Sequence, residues 1–413
     1  MSYLLRQSLL AALTANALRP MRGYTPAIPS FVLGWLTSEL APQLLALNAA
    51  DTGVQLARGR RSAAGLTLAA GSAAGLGYLV AGSRRSQQQL EDALTQGLGV
   101  DYVEQLDAPP TPADLATPWR SLARPFRFGD DTVRVERDIA YTDAGSRGHL
   151  DIYLPAATTR LVKAPVLLQV HGGAWTLGRK DQQGLPLMHH LAARGWICVA
   201  INYRLAPRDP FPAQIIDVKR AIAWIKQHIS EYGGDPDYLV VTGGSAGGHL
   251  SALAALTPGD PAFQPGFEEQ DTSVQAAVPV YGVYDFAGAT GLKSAQLMRD
   301  RFLAPKVMFK TWQDSPADFE NASPILRITP DAPDFFVIHG THDTLVDVDQ
   351  ARLFVGELHR VSQRSVVYAE LPGTQHAFDV FHSIRSAHMV RAVSRYLNWH
   401  WNRYRAGQPV EAA

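Results

Sequence analysis

The stretch YLVVTGGSAGGHLSALAAL, residues 238–256, decides the fold of this chain. Its first four residues form an apolar, β-rich run typical of a buried parallel strand, and residues 248–256 favour a helix. Between them lies Gly243-Gly244-Ser245-Ala246-Gly247, a G-x-S-x-G pattern. A serine on such a sharp turn needs glycine two residues before and after it, where side chains would collide with the neighbouring strand and helix. The stretch therefore predicts an exposed, nucleophilic Ser245 at the edge of an α/β sheet.

Two later strand ends carry a candidate acid and a candidate base in the chain order that such a serine requires. Residues 334–340 form an apolar strand that leads into a loop with Asp343 and Asp347, and residues 365–371 form another that precedes His376. Open α/β sheets place their sites just past such strand ends. Asp347 lies where a helix begins, and its charge favours the helix dipole there. We therefore expect Asp343 to orient His376, which takes the proton of Ser245.

A fourth strand end carries a loop of small residues. Residues 164–170 form a strand that ends in His171-Gly172-Gly173-Ala174-Trp175. Acyl transfer needs backbone N–H donors aimed at the developing oxyanion, and small residues let the backbone approach closely. A tight glycine turn between a strand and a helix is the alternative for this segment. Together with the serine turn, the loop indicates hydrolysis through an acyl-serine.

From about residue 130 to 405 the chain resembles the serine α/β-hydrolases of the hormone-sensitive-lipase-like esterase group, family IV with the HGG motif. The matching stretches are residues 171–175, 202–207 (NYRLAP), 211–213, 243–247, 343–346 and 376–378. The resemblance implies a catalytic triad of Ser245, Asp343 and His376. It implies oxyanion N–H donors from Gly173, Ala174 and Ala246, in a hole that also includes Gly172, and it makes His171 and Trp175 candidates for the substrate pocket. Two positions depart from the group: Ala174 replaces a third glycine, and Arg208 replaces an acidic residue.

The function implied is that of a carboxylesterase or lipase acting on a small-molecule ester or a lipid, with no cofactor. An amide hydrolase of the arylformamidase type uses the same triad, and the sequence leaves it open. A non-enzymatic hydrolase-fold protein at a membrane is disfavoured, since every catalytic element is present. Epoxide-hydrolase and dehalogenase chemistry is disfavoured because those enzymes carry a carboxylate nucleophile on this turn.

Composition excludes several other classes. The chain has 38 basic and 38 acidic residues, and no basic run suggests a nucleic-acid partner. No group of residues has metal-ligand spacing. The single cysteine, Cys198, lies in an apolar strand and is expected to be a small buried hydrophobe. The oligomeric state stays open.

Strands alternate with helical patterns beyond residue 131, which is typical of a mostly parallel central sheet flanked by helices. We expect an N-terminal helical region at 1–105, a proline-rich linker at 106–130, the α/β-hydrolase catalytic domain at 131–405 and a tail at 406–413. Residues 285–323, between the sixth and seventh strands, are helical and aromatic. They are expected to form a cap whose aromatic residues line an acyl or alcohol pocket or simply pack.

The N-terminal region contains two apolar stretches, residues 27–50 and 62–83. The second has no charged residue and is closed by Arg60, Arg61, Arg84 and Arg85. Its length would span a bilayer, but its Ala and Gly content is only marginally hydrophobic, so packing on the cap or an interfacial hairpin are alternatives. We expect a cytoplasmic or a membrane-associated protein; in the membrane-associated case, residues 27–85 would meet the membrane surface. Secretion is less favoured, because the apolar run at 9–13 is short and Arg19 follows closely.

Overall fold

The computed structural model describes residues 1–59, 62–129, 131–156 and 161–407. Arg60 and Arg61, which close the second apolar stretch, and residues 408–413 of the expected tail lie outside these ranges.

A single eight-stranded sheet forms the centre of the described catalytic part. Its strands are β1 Val133–Ala140, β2 His149–Pro155, β3 Ala164–Val170, β4 Ile197–Ile201, β5 Gly234–Gly244, β6 Ala276–Val280, β7 Asp334–Gly340 and β8 Val366–Leu371. They lie in the order β1-β2-β4-β3-β5-β6-β7-β8. The pairs β1–β2 and β2–β4 are antiparallel, and β3 to β8 pair in parallel. The predicted fold class, a mostly parallel α/β sheet, is confirmed.

Helices cover both faces of this sheet. They are α7 Leu185–Ala192, α8 Ala213–His228, α9 Ala246–Leu256, α12 Val348–Val361 and α13 Ile384–Arg405. Successive residues of β3 enter opposite cores: Leu168 belongs to one apolar cluster and Leu167 to the other. Cys198 on β4 is buried, as expected. Because β3 and β4 are buried along their whole length, their sequences are nearly continuous apolar runs, interrupted by Gln169 in β3.

The segment between β6 and β7 is helical, as predicted. It contains α10 Lys293–Met298, a π-helical stretch Arg299–Met308 and α11 Pro316–Asn321. Phe286 and Phe319 are fully buried in the main core, whereas Phe309 is 51% exposed. Ordinary packing therefore accounts for the first two of these aromatic side chains.

Four helices make up most of the N-terminal region, and two short ones follow. They are α1 Tyr3–Leu18, α2 Ala27–Glu39, α3 Ala41–Ala57, α4 Ala63–Leu98, α5 Pro112–Leu115 and α6 Trp119–Leu122. Leu76 and Leu79 of α4 pack with Ala17 and Ala41. By length and composition, α4 is the one helix among the described residues that could cross a membrane.

The other end of α4 belongs to the core of the catalytic part. Leu90, Leu94 and Leu98 join the apolar cluster on one face of the sheet. Gly97 permits this close approach, since a Cβ there would lie 2.7 Å from a methyl of Val367 on β8. The expected domain boundaries at 105 and 130 stay predictions. Helix α4, from the N-terminal region, nevertheless packs directly on the catalytic part.

Candidate active site

Ser245 lies in the sharp turn between β5 and α9 that the sequence predicts. Its φ of 59° and ψ of −120° are strained for a residue with a side chain. A Cβ at Gly243 would lie 2.4 Å from the carbonyl oxygen of Val170, and one at Gly247 would lie 2.1 Å from the same atom. Glycine is therefore required on both sides, because the turn presses against the end of β3. Ser245 is partly exposed, while its neighbours are buried.

The structure brings Asp343 and His376 into contact, although 33 residues separate them in the chain. His376 Nδ1 lies 2.6 Å from Asp343 Oδ2, and both side chains are buried. Burial alone would raise the pKa of Asp343, but the charge interaction with His376 and hydrogen bonds from His339 and His376 hold this pKa well below its usual value. The pair can thus hold one imidazole tautomer against an ionised carboxylate.

The rival carboxylate, Asp347, lies at the N-cap of α12. Its side chain accepts a hydrogen bond from the N–H of Asp349 in the first turn. The predicted helix-terminal role of Asp347 is confirmed.

Two residues that the sequence reasoning did not single out complete the setting of this pair. His339, fully buried on β7, lies with Nε2 3.2 Å from Asp343 Oδ2. Gln375 accepts hydrogen bonds on Oε1 from the N–H groups of Thr344 and His376, both at 2.9 Å. Gln375 thus joins the acid loop to the histidine loop. Its position directly before His376 was the only signal in the sequence.

Tyr281, the first residue after β6, contacts both the serine turn and His376. Its ring centroid is 4.4 Å from that of His376, and a Cβ at Gly244 would lie 2.5 Å from its hydroxyl oxygen. That hydroxyl donates a hydrogen bond to Asp379. In the described part of the chain Ser245 Oγ forms no hydrogen bond with His376; such contacts are often long without substrate and tighten in the complex.

The predicted oxyanion loop follows β3 and has an unusual backbone. Gly173, Ala174 and Trp175 all have positive φ, at 123°, 54° and 59°. Gly172 departs from the expected oxyanion hole: its N–H donates to Gln183 Oε1 at 2.7 Å and is therefore not free for an oxyanion. The N–H groups of Gly173 and Ala174 have no acceptor among the described residues. The Ala246 N–H, in the first turn of α9, has no intrahelical acceptor either.

His171 and Trp175, the pocket candidates, are buried and hold this loop. The ring of His171 stacks on Tyr203, 4.2 Å between centroids, and the Tyr203 hydroxyl donates to the His171 carbonyl at 2.8 Å. Trp175 Nε1 donates to His249 Nδ1 at 3.1 Å. Burial lowers the pKa of His249 to about 3, so this acceptor stays neutral. Tyr203 of the Asn-Tyr-Arg-Leu-Ala-Pro stretch thus supports the loop.

Helix α2 covers the histidine side of the site, which the sequence did not predict. The ring of Phe31 meets that of His376 edge-on, with centroids 5.7 Å apart. The Thr344 hydroxyl donates to the Ala27 carbonyl at 3.0 Å. Gly34 lies against Gln375, where an added Cβ would be 3.5 Å from Nε2. No local pattern reveals these contacts, because α2 meets loops about three hundred residues away in the chain.

The arrangement can perform acyl transfer without a metal. It combines a strained serine, a buried imidazole–carboxylate pair and free N–H groups beside the serine turn. No group of three or more potential metal-ligating side chains occurs among the residues that the structure describes. Fold and site together define an α/β-hydrolase of the serine type.

Comparisons with known proteins agree with this class. The BD-FAE family profile matches residues 150–358, half of the chain. The Mycobacterium tuberculosis protein "Probable carboxylic ester hydrolase LipM" is 48% identical over 400 residues, which cover 94% of this chain and 90% of that protein. "Esterase LipQ" of the same organism is 48% identical over 260 residues, 63% of this chain and 61% of that one. The chain belongs to the BD-FAE family of α/β-hydrolases, and it is a carboxylic ester hydrolase, as predicted.

Solved structures support the fold. Esterase B from Lactobacillus rhamnosis superposes with a TM-score of 0.55 at 20% identity and covers 78% of this chain and 100% of its own. A truncated carbohydrate esterase from gut microbiota gives a TM-score of 0.55 at 24% identity and covers 66% of this chain and 98% of its own. At these identities the likeness shows the fold alone.

Proposed function

We propose that this ester hydrolase works through Ser245, His376 and Asp343 and forms an acyl-serine intermediate. The observation that carries the proposal is the buried contact of 2.6 Å between His376 Nδ1 and Asp343 Oδ2, beside a serine held at positive φ. The substrate is a small-molecule ester, and lipid esters are included in the proposal.

The proposed reaction has two steps. His376 takes the proton of Ser245 as its oxygen attacks the ester carbonyl, and the N–H groups of Gly173, Ala174 and Ala246 stabilise the oxyanion. The alcohol leaves with the proton from His376, and the acyl group remains on Ser245. Water, deprotonated by the same histidine, then attacks the acyl-serine, and the acid is released as His376 returns the proton to Ser245.

The experiment is Ser245→Ala, assayed on a short p-nitrophenyl ester. We expect kcat to fall by on the order of 10⁴-fold or more, because the nucleophile is lost. Ser251→Ala is the matched control: Ser251 is a buried serine of α9, the helix that follows Ser245, and its hydroxyl donates to the Gly247 carbonyl. It should keep turnover within a few-fold. Thermal unfolding of each variant checks the fold, and full turnover by Ser245→Ala would refute the assignment.

We also propose that residues 27–85 meet a membrane surface. Residues 27–85 contain five arginines and two acidic residues. Both acids are already paired, Glu39 with Arg385 and Asp51 with Arg6. An excess of positive charge beside exposed apolar side chains favours an anionic lipid surface.

A further inference from the structure

The alcohol part of an ester must lie beside His376 in the proposed mechanism. This histidine returns its proton to the leaving oxygen, and that transfer needs a distance of about 3 Å. The first atoms of the alcohol group therefore lie near the side chains that pack against the His376 ring. From the N-terminal region, the side chain in contact with this imidazole is Phe31, whose ring meets it at an interplanar angle of 86°.

Phe31 is the first ring of an aromatic row made of Phe31, Trp35, Phe381 and Phe126. Phe31 stacks on Trp35, one turn further along α2, with centroids 5.5 Å apart. Trp35 packs on Phe381 at 5.4 Å, and Phe381 on Phe126 at 4.9 Å. Phe31 and Trp35 are only half-buried, so part of each ring is open to a ligand.

The open faces of this aromatic row are apolar. Its one N–H group, Trp35 Nε1, is buried and has no hydrogen-bond partner among the described residues. Aromatic rings offer a large apolar area and edge or stacked contacts to a ligand, but the row presents no donor or charge for a hydrophilic alcohol. A bulky, apolar alcohol group therefore fits it best.

Helix α2 is held at both ends by contacts with the catalytic part. A side chain that selects between substrates needs such a fixed position. At its start, the Ala27 carbonyl accepts the hydroxyl of Thr344 from the acid loop. At its end, the buried carboxylate of Glu39 pairs with Arg385 at 2.6 Å and accepts the hydroxyl of Ser383 at 2.7 Å. Both partners at this end belong to the first residues of α13 and its N-cap, just after the His376 loop.

We propose that the aromatic row, and Phe31 above all, forms the alcohol side of the site and selects esters with a large apolar alcohol group. This inference rests on the proposed function, because it takes His376 as the proton donor to the leaving alcohol. It makes the N-terminal region a part of the substrate site and gives it a role in specificity.

The experiment compares two esters of one acid, methyl butyrate and benzyl butyrate, on the full chain. Phe31→Ala should lower kcat/KM for the benzyl ester about tenfold and for the methyl ester less than about twofold, since only the larger alcohol loses a ring contact. Phe31→Leu should recover part of the loss. Leu33→Ala is the matched control, because Leu33 lies on the same helix and is 47% exposed; both rates should stay unchanged.

Three results would overturn the inference. An equal fall in kcat/KM for both esters would mean that Phe31 only positions His376, and an unchanged kcat/KM for both esters would mean that Phe31 touches no alcohol group. A changed acyl-length profile on p-nitrophenyl esters, with an unchanged alcohol ratio, would place Phe31 on the acyl side. Ser245→Ala is assayed on the same esters, and turnover by that variant refutes the proposed function. If Ser245→Ala is inactive and Phe31→Ala keeps the ratio of kcat/KM for the benzyl and methyl esters, this inference alone is refuted.

Discussion

The carboxylate of Asp343 is held by two backbone N–H groups and two imidazoles. Its Oδ1 accepts from the N–H groups of Leu345 and Val346, each at 2.8 Å, while Oδ2 faces His376 and His339. Hydrogen bonds to the charged form oppose the cost of burying it. Asp347, four residues later, has one local hydrogen bond in a helix cap. Two carboxylates of one loop thus have different chemistry because their surroundings differ.

At the residue scale we predict that Asp343→Asn lowers kcat by about 10³–10⁴-fold, because an amide neither fixes the tautomer of His376 nor stabilises its charged form. Initial rates on a short p-nitrophenyl ester measure the effect. Asp347→Asn is the control; asparagine is also a good N-cap, so activity should be unchanged and stability should fall by less than about 1 kcal/mol. The reverse ranking of the two variants would make Asp347 the acid.

The end of helix α2 is held by a buried ion pair with a distant part of the chain. The side chains of Glu39 and Arg385 are each about 1% exposed, so neither charge is solvated by water. The hydroxyl groups of Ser38 and Ser383 also donate hydrogen bonds to the Glu39 carboxylate. A buried pair of this kind contributes little compared with apolar replacements, but removing one partner leaves an uncompensated charge.

At the element scale we predict that Glu39→Ala lowers the free energy of unfolding by about 3–5 kcal/mol, measured by urea denaturation. The double variant Glu39→Met with Arg385→Met should lose much less, since no unpaired charge remains. Asp51→Ala is the comparison within the same region: its ion pair with Arg6 is partly exposed, at 27% and 38%, so the loss of this pair should lower the free energy of unfolding far less. Equal losses in the free energy of unfolding for Glu39→Ala and Asp51→Ala would contradict this role of the buried Glu39–Arg385 pair.

The whole molecule is electrically neutral but unevenly charged. Residues 1–85 have a net charge of +6, which the rest of the chain balances. Many of the large exposed apolar side chains also lie on the N-terminal helices, among them Leu5, Leu9, Ile28, Leu33, Leu47 and Val54. Because α2 covers the histidine side of the site, a membrane bound at these helices would bring lipid close to the aromatic row.

At the scale of the whole molecule we predict binding to vesicles that contain phosphatidylglycerol and weak binding to pure phosphatidylcholine. Cosedimentation measures it, and salt should weaken it, since each arginine near an anionic surface contributes about 1 kcal/mol. Ile28→Ser with Leu47→Ser should lower the affinity about tenfold or more, because two apolar side chains no longer insert. Leu353→Ser is the control on α12, where Leu353 is 42% exposed; affinity lowered equally by this control would refute a specific N-terminal surface.

The sequence by itself determined the fold class and the chemistry. Ser245, Asp343 and His376 each follow an apolar strand within a few residues, and parallel strands bring their ends to one edge, so local pattern sufficed. Tertiary structure decided the rest. Only the packing of α2 on loops some three hundred residues away shows that Glu39, a lone charge in an apolar stretch, is the buried partner of Arg385. Likewise, only the folded loop shows that Gln183 takes the Gly172 N–H from the oxyanion site. Such contacts carry no period or spacing in the chain, because they are set by which surfaces meet after the strands and helices have formed.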